Sequence, residues 1–208
     1  MQLKASSSPP AGSRKNTYAA VVRAQLEESC RVKSAFSAEL VERIAQLAER
    51  AAATLAAGGK IVLFGNGGSA ADAQHLAAEF VVRLRDDRPA LAALALTVNT
   101  SVLTAAGNDY VFENIFARQI EALVLPGDLL IALSTSGTSA NILRGAEAGR
   151  HRGAFVAGFT GETGGALGSV VNLLLNVPSR DAQRIQESHI TIGHIVCSIV
   201  EQIRSADS

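Results

Sequence analysis

The 208-residue sequence has no tryptophan, and aromatic residues make up only 4% of it. A stacking platform for nucleic-acid bases needs such rings, so their scarcity argues against one. An excess of one charge is missing too: 19 Lys and Arg balance 19 Asp and Glu. Binders of nucleic acid or anionic membrane need a basic footprint, so neither partner is expected. Cysteine is scarce, with only Cys30 and Cys197, far apart and outside any CxxC pattern. That excludes a disulfide framework and points to a reducing compartment. No run reaches the roughly 18 apolar residues that would span a bilayer. The N-terminal stretch MQLKASSSPPAGSRKN lacks the apolar segment of a signal peptide. Residues 1–16 therefore read as a flexible tail, and a cytoplasmic location is the default expectation.

What is present is 48% hydrophobic and 18% charged sequence, a globular profile. The length suits one domain, over residues 17–208. Two helices are predicted first. One runs from Tyr18 to Arg31, amphipathic through Val21, Val22 and Leu26. The other covers 37–57, with Leu40, Ile44, Leu47, Ala51 and Leu55 at steps of three and four, and Gly58-Gly59 as its stop. These two need a packed helical layer or a subunit interface to bury their apolar faces. After residue 60 the pattern changes. Apolar runs at Ile61–Phe64, Leu91–Leu96, Leu129–Leu133, Ala154–Phe159 and Val171–Val177 read as strands. Helical stretches follow at Ser69 to Leu84, Asn114–Leu125, after Ser139 to Gly149, and Gln183–Ile203. Buried runs alternating with helices predict an α/β fold: a three-layer αβα sandwich around a five-stranded parallel sheet, flavodoxin-like, with extra N-terminal helices.

In such folds ligands bind at the carboxyl ends of the strands. Three polar, Gly-rich loops fall there: Gly65–Ser69, Ser134–Ser139 and Thr160–Gly165. In the second, Ser134, Thr135, Ser136, Thr138 and Ser139 surround Gly137 just ahead of a helix. A helix cap needs one hydroxyl. Five hydroxyls beside free backbone N–H groups make a phosphate cradle with neutral donors. The first loop, Gly65-Asn66-Gly67-Gly68-Ser69-Ala70, fits the relaxed dinucleotide pattern. The acid that should hold a ribose is absent at Thr97-Val98-Asn99, so a nicotinamide enzyme is not favoured.

Only four histidines occur. His75 stands four residues before Glu79 and shares a helix face with it. Imidazole plus carboxylate suits a divalent transition metal such as zinc, although a plain surface pair is the commoner meaning of H-x-x-x-E. The last helix carries Gln186, His189 and His194. Helical phase pairs Gln186 with His189, whereas Gln186 and His194 are separated by roughly 12 Å of rise. Spacing alone would therefore favour His189, and the sequence does not show that the two helices meet.

Taken in order, GNGGSAADAQHLAAEF, GNDY, STSGTSAN, FTGETGG and RIQESHITIGH span residues 65–194. This ordered set closely resembles the sedoheptulose 7-phosphate isomerases (phosphoheptose isomerases) of the SIS superfamily of sugar-isomerase domains. The resemblance implies a homotetramer with active sites at subunit interfaces. It implies one Zn2+ per subunit, with His75, Glu79, Gln186 and His194 as ligands; the family's last ligand thus selects His194 over His189. It implies sugar-phosphate contacts from Asn66, Gly67, Gly68, Ser69, Glu79, Asn108, Asp109, Ser134, Thr135, Ser136, Ser139 and Gln186. One departure is Gln183, which stands where some relatives have Asp; this chain's acid is Asp181.

The reaction implied converts D-sedoheptulose 7-phosphate to D-glycero-D-manno-heptose 7-phosphate by proton transfer through an enediol. Glu79 is the implied base and His194 its acid–base partner. Two alternatives belong to other classes: a non-catalytic SIS sugar-phosphate sensor, and a relative that binds a replication initiator. Retention of His75, Glu79, Gln186 and His194 favours the enzyme.

Overall fold

The computed structural model describes residues 11–206, with side chains from residue 17 to residue 205. Strands β1 (Ile61–Gly65), β2 (Ala93–Ala95), β3 (Leu129–Leu133), β4 (Phe155–Thr160) and β5 (Leu173–Asn176) form one sheet in the order β2-β1-β3-β4-β5. Every pairing is parallel, with Ile61 opposite both Ala93 and Leu129. Parallel strands need crossovers, and here helices supply them on both faces. The sheet order reverses direction between β1 and β3, which defines the switch point where such folds bind ligands.

Alternation along the strands divides the core in two. Ile61, Leu63, Leu129, Ile131 and Leu133 face the layer of α2 (Ala38–Ala56), α3 (Gly68–Val81) and α7 (Ala182–Ala206). Val62, Phe64, Leu130 and Ala132 face α4 (Thr100–Tyr110), α5 (Ile115–Leu123) and α6 (Ala140–His151). Both faces are covered, which is why the strands read as continuous apolar runs. Helix α2 forms as its pattern predicts: Ser37 Oγ caps it by accepting from the Leu40 N–H at 3.1 Å, and Leu40, Ile44, Leu47 and Ala51 are buried.

Besides shorter strands at β2 and β5 and an earlier end to α3, the N-terminal helix and α4 differ from the sequence reading. Helix α1 (Ala11–Ser34) begins inside the segment read as tail; residues 1–10 lie outside the described ones. Its expected apolar face is not buried within the chain: Val21, Val22 and Leu26 are all more than half exposed. Helix α4 was not predicted. It is capped by Asn99, whose Oδ1 accepts from the Val102 N–H, and buries only Ala106. A helix that contributes so little to the core leaves almost no periodic signal.

Candidate functional site

Helices α3 and α7 pack side by side and run parallel. Gln186 lies against Gly68, Gly193 against Leu76, His194 against His75, and Glu201 against the backbone after α3. Close approach is possible because Gly193 lacks a Cβ: one built there would come within 2.5 Å of the Leu76 methyls.

The seam brings three ligand types to one point. His75 Nε2 and His194 Nε2 are 2.8 Å apart, one ring donating and the other accepting. Glu79 Oε1 lies 3.3 Å from His75 Nε2. The ligand atoms of all three residues fall within 4.8 Å of one another. Tetrahedral zinc with N and O ligands at about 2.0–2.2 Å holds its donors roughly 3.3–3.5 Å apart. The carboxylate is already at that spacing from His75, and the imidazoles need to part by about half an ångström. The donor set therefore fits a divalent metal.

Gln186 is placed elsewhere. Its amide covers Gly68, where a Cβ would meet Nε2 at 2.6 Å. To join the triad the side chain must turn toward the C-terminal end of α7. His189 is fully buried, and its Nε2 contacts the Thr160 carbonyl at 3.2 Å. Burial pushes the imidazole down to about 4, against a small upward pull from that carbonyl. It is a neutral core histidine packed edge-on to Phe159, away from the triad. One turn before His75, burial raises the Asp72 carboxyl above its usual range, with His75 opposing, and Asp72 Oδ2 is buried without a partner.

The two loops beside the switch point are joined across it. Asn66 and Asn141 exchange amide hydrogen bonds of 2.8 and 2.9 Å. Sequence reasoning missed Asn141 because the pair exists only once β1 and β3 are neighbours. In the serine loop, Ser134 Oγ accepts from the Gly137 N–H and Ser136 Oγ accepts from the Thr138 N–H. Gly137 has φ +67°, and a Cβ there would strike the Gly164 carbonyl, so the loop is braced by the turn after β4. Thr135 joins the same brace, its carbonyl accepting from the Gly161 N–H. Neither α3 nor α6 receives a side-chain cap: Gly67 has no side chain to offer, and Ser139 makes no capping bond. Two helix N-termini with uncapped N–H groups thus open beside hydroxyls, an arrangement suited to an anion.

Asn108 and Asp109 are exposed at the end of α4 and bonded to each other at 2.8 Å. Asp109 lines a cleft of about 580 Å³ with Val98, Val102, Tyr110 and Arg118. Helix α4 lies on the opposite face of the sheet from α3 and α7. Val111, just after it, is the sole non-glycine residue with positive φ among the described residues, at +69°, a conformation that β-branched residues rarely adopt.

This combination of switch-point loops and a histidine–carboxylate cluster in a 2-1-3-4-5 sheet defines a SIS-domain protein. The SIS domain profile matches residues 25–161. The chain is 49% identical over 182 residues to the phosphoheptose isomerase of Aquifex aeolicus, covering 88% of this chain and 95% of that one. It is 52% identical over 178 residues to that of a Roseiflexus species, covering 86% and 90%. The structure of the Neisseria gonorrhoeae phosphoheptose isomerase superimposes with a TM-score of 0.84 at 42% identity, covering 89% of this chain and 99% of that one. The chain belongs to the phosphoheptose isomerase family.

Proposed function

We infer that the protein is an aldose–ketose isomerase that interconverts sedoheptulose 7-phosphate and D-glycero-D-manno-heptose 7-phosphate. The observation that carries this reading is the meeting of His75, Glu79 and His194 across the α3–α7 seam. A sugar-phosphate sensor or an initiator-binding module needs no such cluster, and the relatives at 49% and 52% identity are named phosphoheptose isomerases.

The phosphate is taken by Ser134, Thr135, Ser136 and Ser139, with Ser69 and the N–H groups of Gly67 and Gly68 beside them. Asn66, held by Asn141, and Gln186 contact the sugar. Asn108 and Asp109 complete the contacts at the sugar hydroxyls. Glu79 takes the proton from the carbon next to the carbonyl and returns it to the neighbouring carbon. His194 moves the proton between the two oxygens. His75, Glu79, Gln186 and His194 would hold a single zinc ion, which when bound polarises the carbonyl and enediol oxygens; Glu79 and His194 move protons only when they are not tightly bound to it. Glu79 is partly buried with its Oε1 3.3 Å from His75 Nε2, which supports a carboxylate kept beside the two imidazoles.

The assembly we propose is a homotetramer. The exposed Tyr18, Val21, Val22 and Leu26 on α1 support it, because an apolar stripe of that length calls for a cover. So does the groove of about 380 Å³ beside His194, which places the triad at the chain's surface.

Glu79→Gln tests the mechanism. It keeps the side-chain shape and removes the basic carboxylate. Turnover should fall roughly 10²–10⁴-fold, the usual worth of a general base, while sugar-phosphate binding survives. Metal content measured on the same sample separates this loss from loss of the ion. A metal-replete Glu79→Gln enzyme turning over near the wild-type rate would overturn the assignment.

A further inference from the structure

Helix α3 ends at Val81, two residues beyond Glu79, and its last carbonyls lack intrahelical partners. Two of them, those of Glu79 and Phe80, are gripped by one guanidinium from outside the helix, and the Phe80 carbonyl also accepts from the Leu91 N–H at 3.1 Å. Arg88 donates through one terminal nitrogen to the Glu79 carbonyl at 2.7 Å and through the other to the Phe80 carbonyl at 2.9 Å. Its Nε donates to Glu201 Oε1 at 3.1 Å. Glu201, on α7, also accepts from the Leu84 N–H at 2.8 Å and the Arg85 N–H at 3.2 Å. Both side chains are buried, at 6% and 3% exposure. Burial pushes the Glu201 carboxyl up, but the Leu84 and Arg85 N–H groups and the Arg88 charge outweigh it and hold it down in the ionised form.

The position of this pair is informative. Glu201 follows His194 by seven residues, two turns along the same face of α7. Arg88 grips the carbonyl of Glu79 itself. One bonded path therefore links the backbone of the residue proposed as base to the helix that carries its proposed acid–base partner. Elsewhere along the seam Gln186 lies against Gly68, Leu76 against Gly193 and His75 against His194; the Gly193–Leu76 contact sets closeness but not register. A buried ion pair is a poor source of net stability, because desolvating the charges offsets their attraction. Fixing a register is a better-attested use of one.

We propose that Arg88 and Glu201 are positioning residues for isomerisation, setting the register of α3 against α7 and so the place of the Glu79 carboxylate relative to His194. The proposal rests on Glu79 being the base. Arg88→Lys keeps the charge opposite Glu201 and loses the fork that holds the Glu79 and Phe80 carbonyls together. The double variant Arg88→Met/Glu201→Met replaces the pair by apolar side chains and leaves no buried charge alone.

Each variant is made as the full chain and saturated with metal. Turnover of sedoheptulose 7-phosphate and solvent-proton exchange at the product's C2 are measured with the thermal melt. A displacement on the order of 1 Å at a reacting group costs up to about 10²-fold. The expected result is a folded Arg88→Lys protein with kcat and exchange reduced tenfold or more and KM changed less than twofold. A folded Arg88→Lys protein with wild-type kcat overturns the proposal, as does a change confined to KM. Loss of fold in Arg88→Lys also overturns it, since the pair would then serve stability alone. The double variant separates charge from register: a folded one at wild-type kcat overturns the proposal too. Glu79→Gln is assayed alongside. If it retains turnover, the reading of Glu79 fails; if it is dead while Arg88→Lys is unimpaired, only the positioning role fails.

Discussion

Gly193→Ala tests the α3–α7 seam with a single methyl group. The new Cβ would lie 2.5 Å from Leu76 Cδ1 and Cδ2 and 3.0 Å from Cγ. Carbon atoms in good contact sit roughly 3.5–4.0 Å apart, so the shortfall is about 1 Å. Leu76 is 1% exposed and has nowhere to retreat, so the helices must part. Overpacking of this kind costs about 1–3 kcal/mol. Replacing glycine by alanine in a helix returns about 1 kcal/mol. The net destabilisation is then about 0–2 kcal/mol, or a melting temperature lower by up to about 8 °C for a chain of this size. Catalysis should suffer far more, because the neighbours of the clash are His75 and His194 themselves. Parting them by about 1 Å predicts a loss of up to about 10²-fold in turnover of sedoheptulose 7-phosphate. Gly107→Ala in α4 is the matched control: its Cβ meets only Ile115 Cγ2 at 4.0 Å, so it should leave activity intact and raise stability. A Gly193→Ala enzyme with wild-type turnover and an unchanged melt would refute the claim that the close approach of the helices places the triad.

Ser136→Ala should weaken the phosphorylated sugar by about 1 kcal/mol or more, about fivefold or greater in KM, the value of a lost bond to a charged group; an unchanged KM would remove Ser136 from the phosphate site. Chelation should abolish activity, and zinc should restore it if His75, Glu79 and His194 hold the ion; full activity after exhaustive chelation would count against any metal role. His189 predicts an acid-sensitive fold. Its folded value of about 4 lies below the ordinary 6.5, so the unfolded chain binds the extra proton. Stability is therefore complete above pH 6.5 and is lost as pH falls from there toward 4, by about 3 kcal/mol in all. Denaturant titrations at several pH values should show this slope, and His189→Gln should flatten it; an equal slope in that variant would refute the assignment. Sedimentation should give a tetramer, and a stable, fully active monomer would exclude it.

The strands were legible because both faces of the sheet are covered, which makes them uniform apolar runs, as at Ile61–Phe64 and Leu129–Leu133. The serine loop was legible from density alone, since five hydroxyls exceed what one helix cap needs. Helix α4 was not, because Thr100–Tyr110 buries only Ala106 and carries Gly107 and Asn108 in its body. The rim of β2 was over-read for a related reason. Leu91 and Leu96 are buried, but the paired ladder is Ala93–Ala95, with one further hydrogen bond to β1 at each end, from Ala92 and Leu96.

The candidate site shows where local spacing stops being informative. Periodicity along α7 pairs Gln186 with His189, yet His189 turns inward to Thr160 while His194 turns to His75. What decides between them is the partner helix, and that contact crosses 119 positions of sequence. The same holds for Asn66 with Asn141, whose two motifs do not say that they meet, and for Arg88 with Glu201, neither of which has a motif of its own. Residues that share one element can be found from their spacing, as His75 and Glu79 were. Residues that meet only because two elements run parallel at close range need the packing that brings them together. In this chain much of that packing depends on small residues: Gly193 lets α7 approach α3, and Gly68 makes room for Gln186. The glycine between Ile192 and His194 therefore bears on where the triad meets as directly as the histidine it precedes.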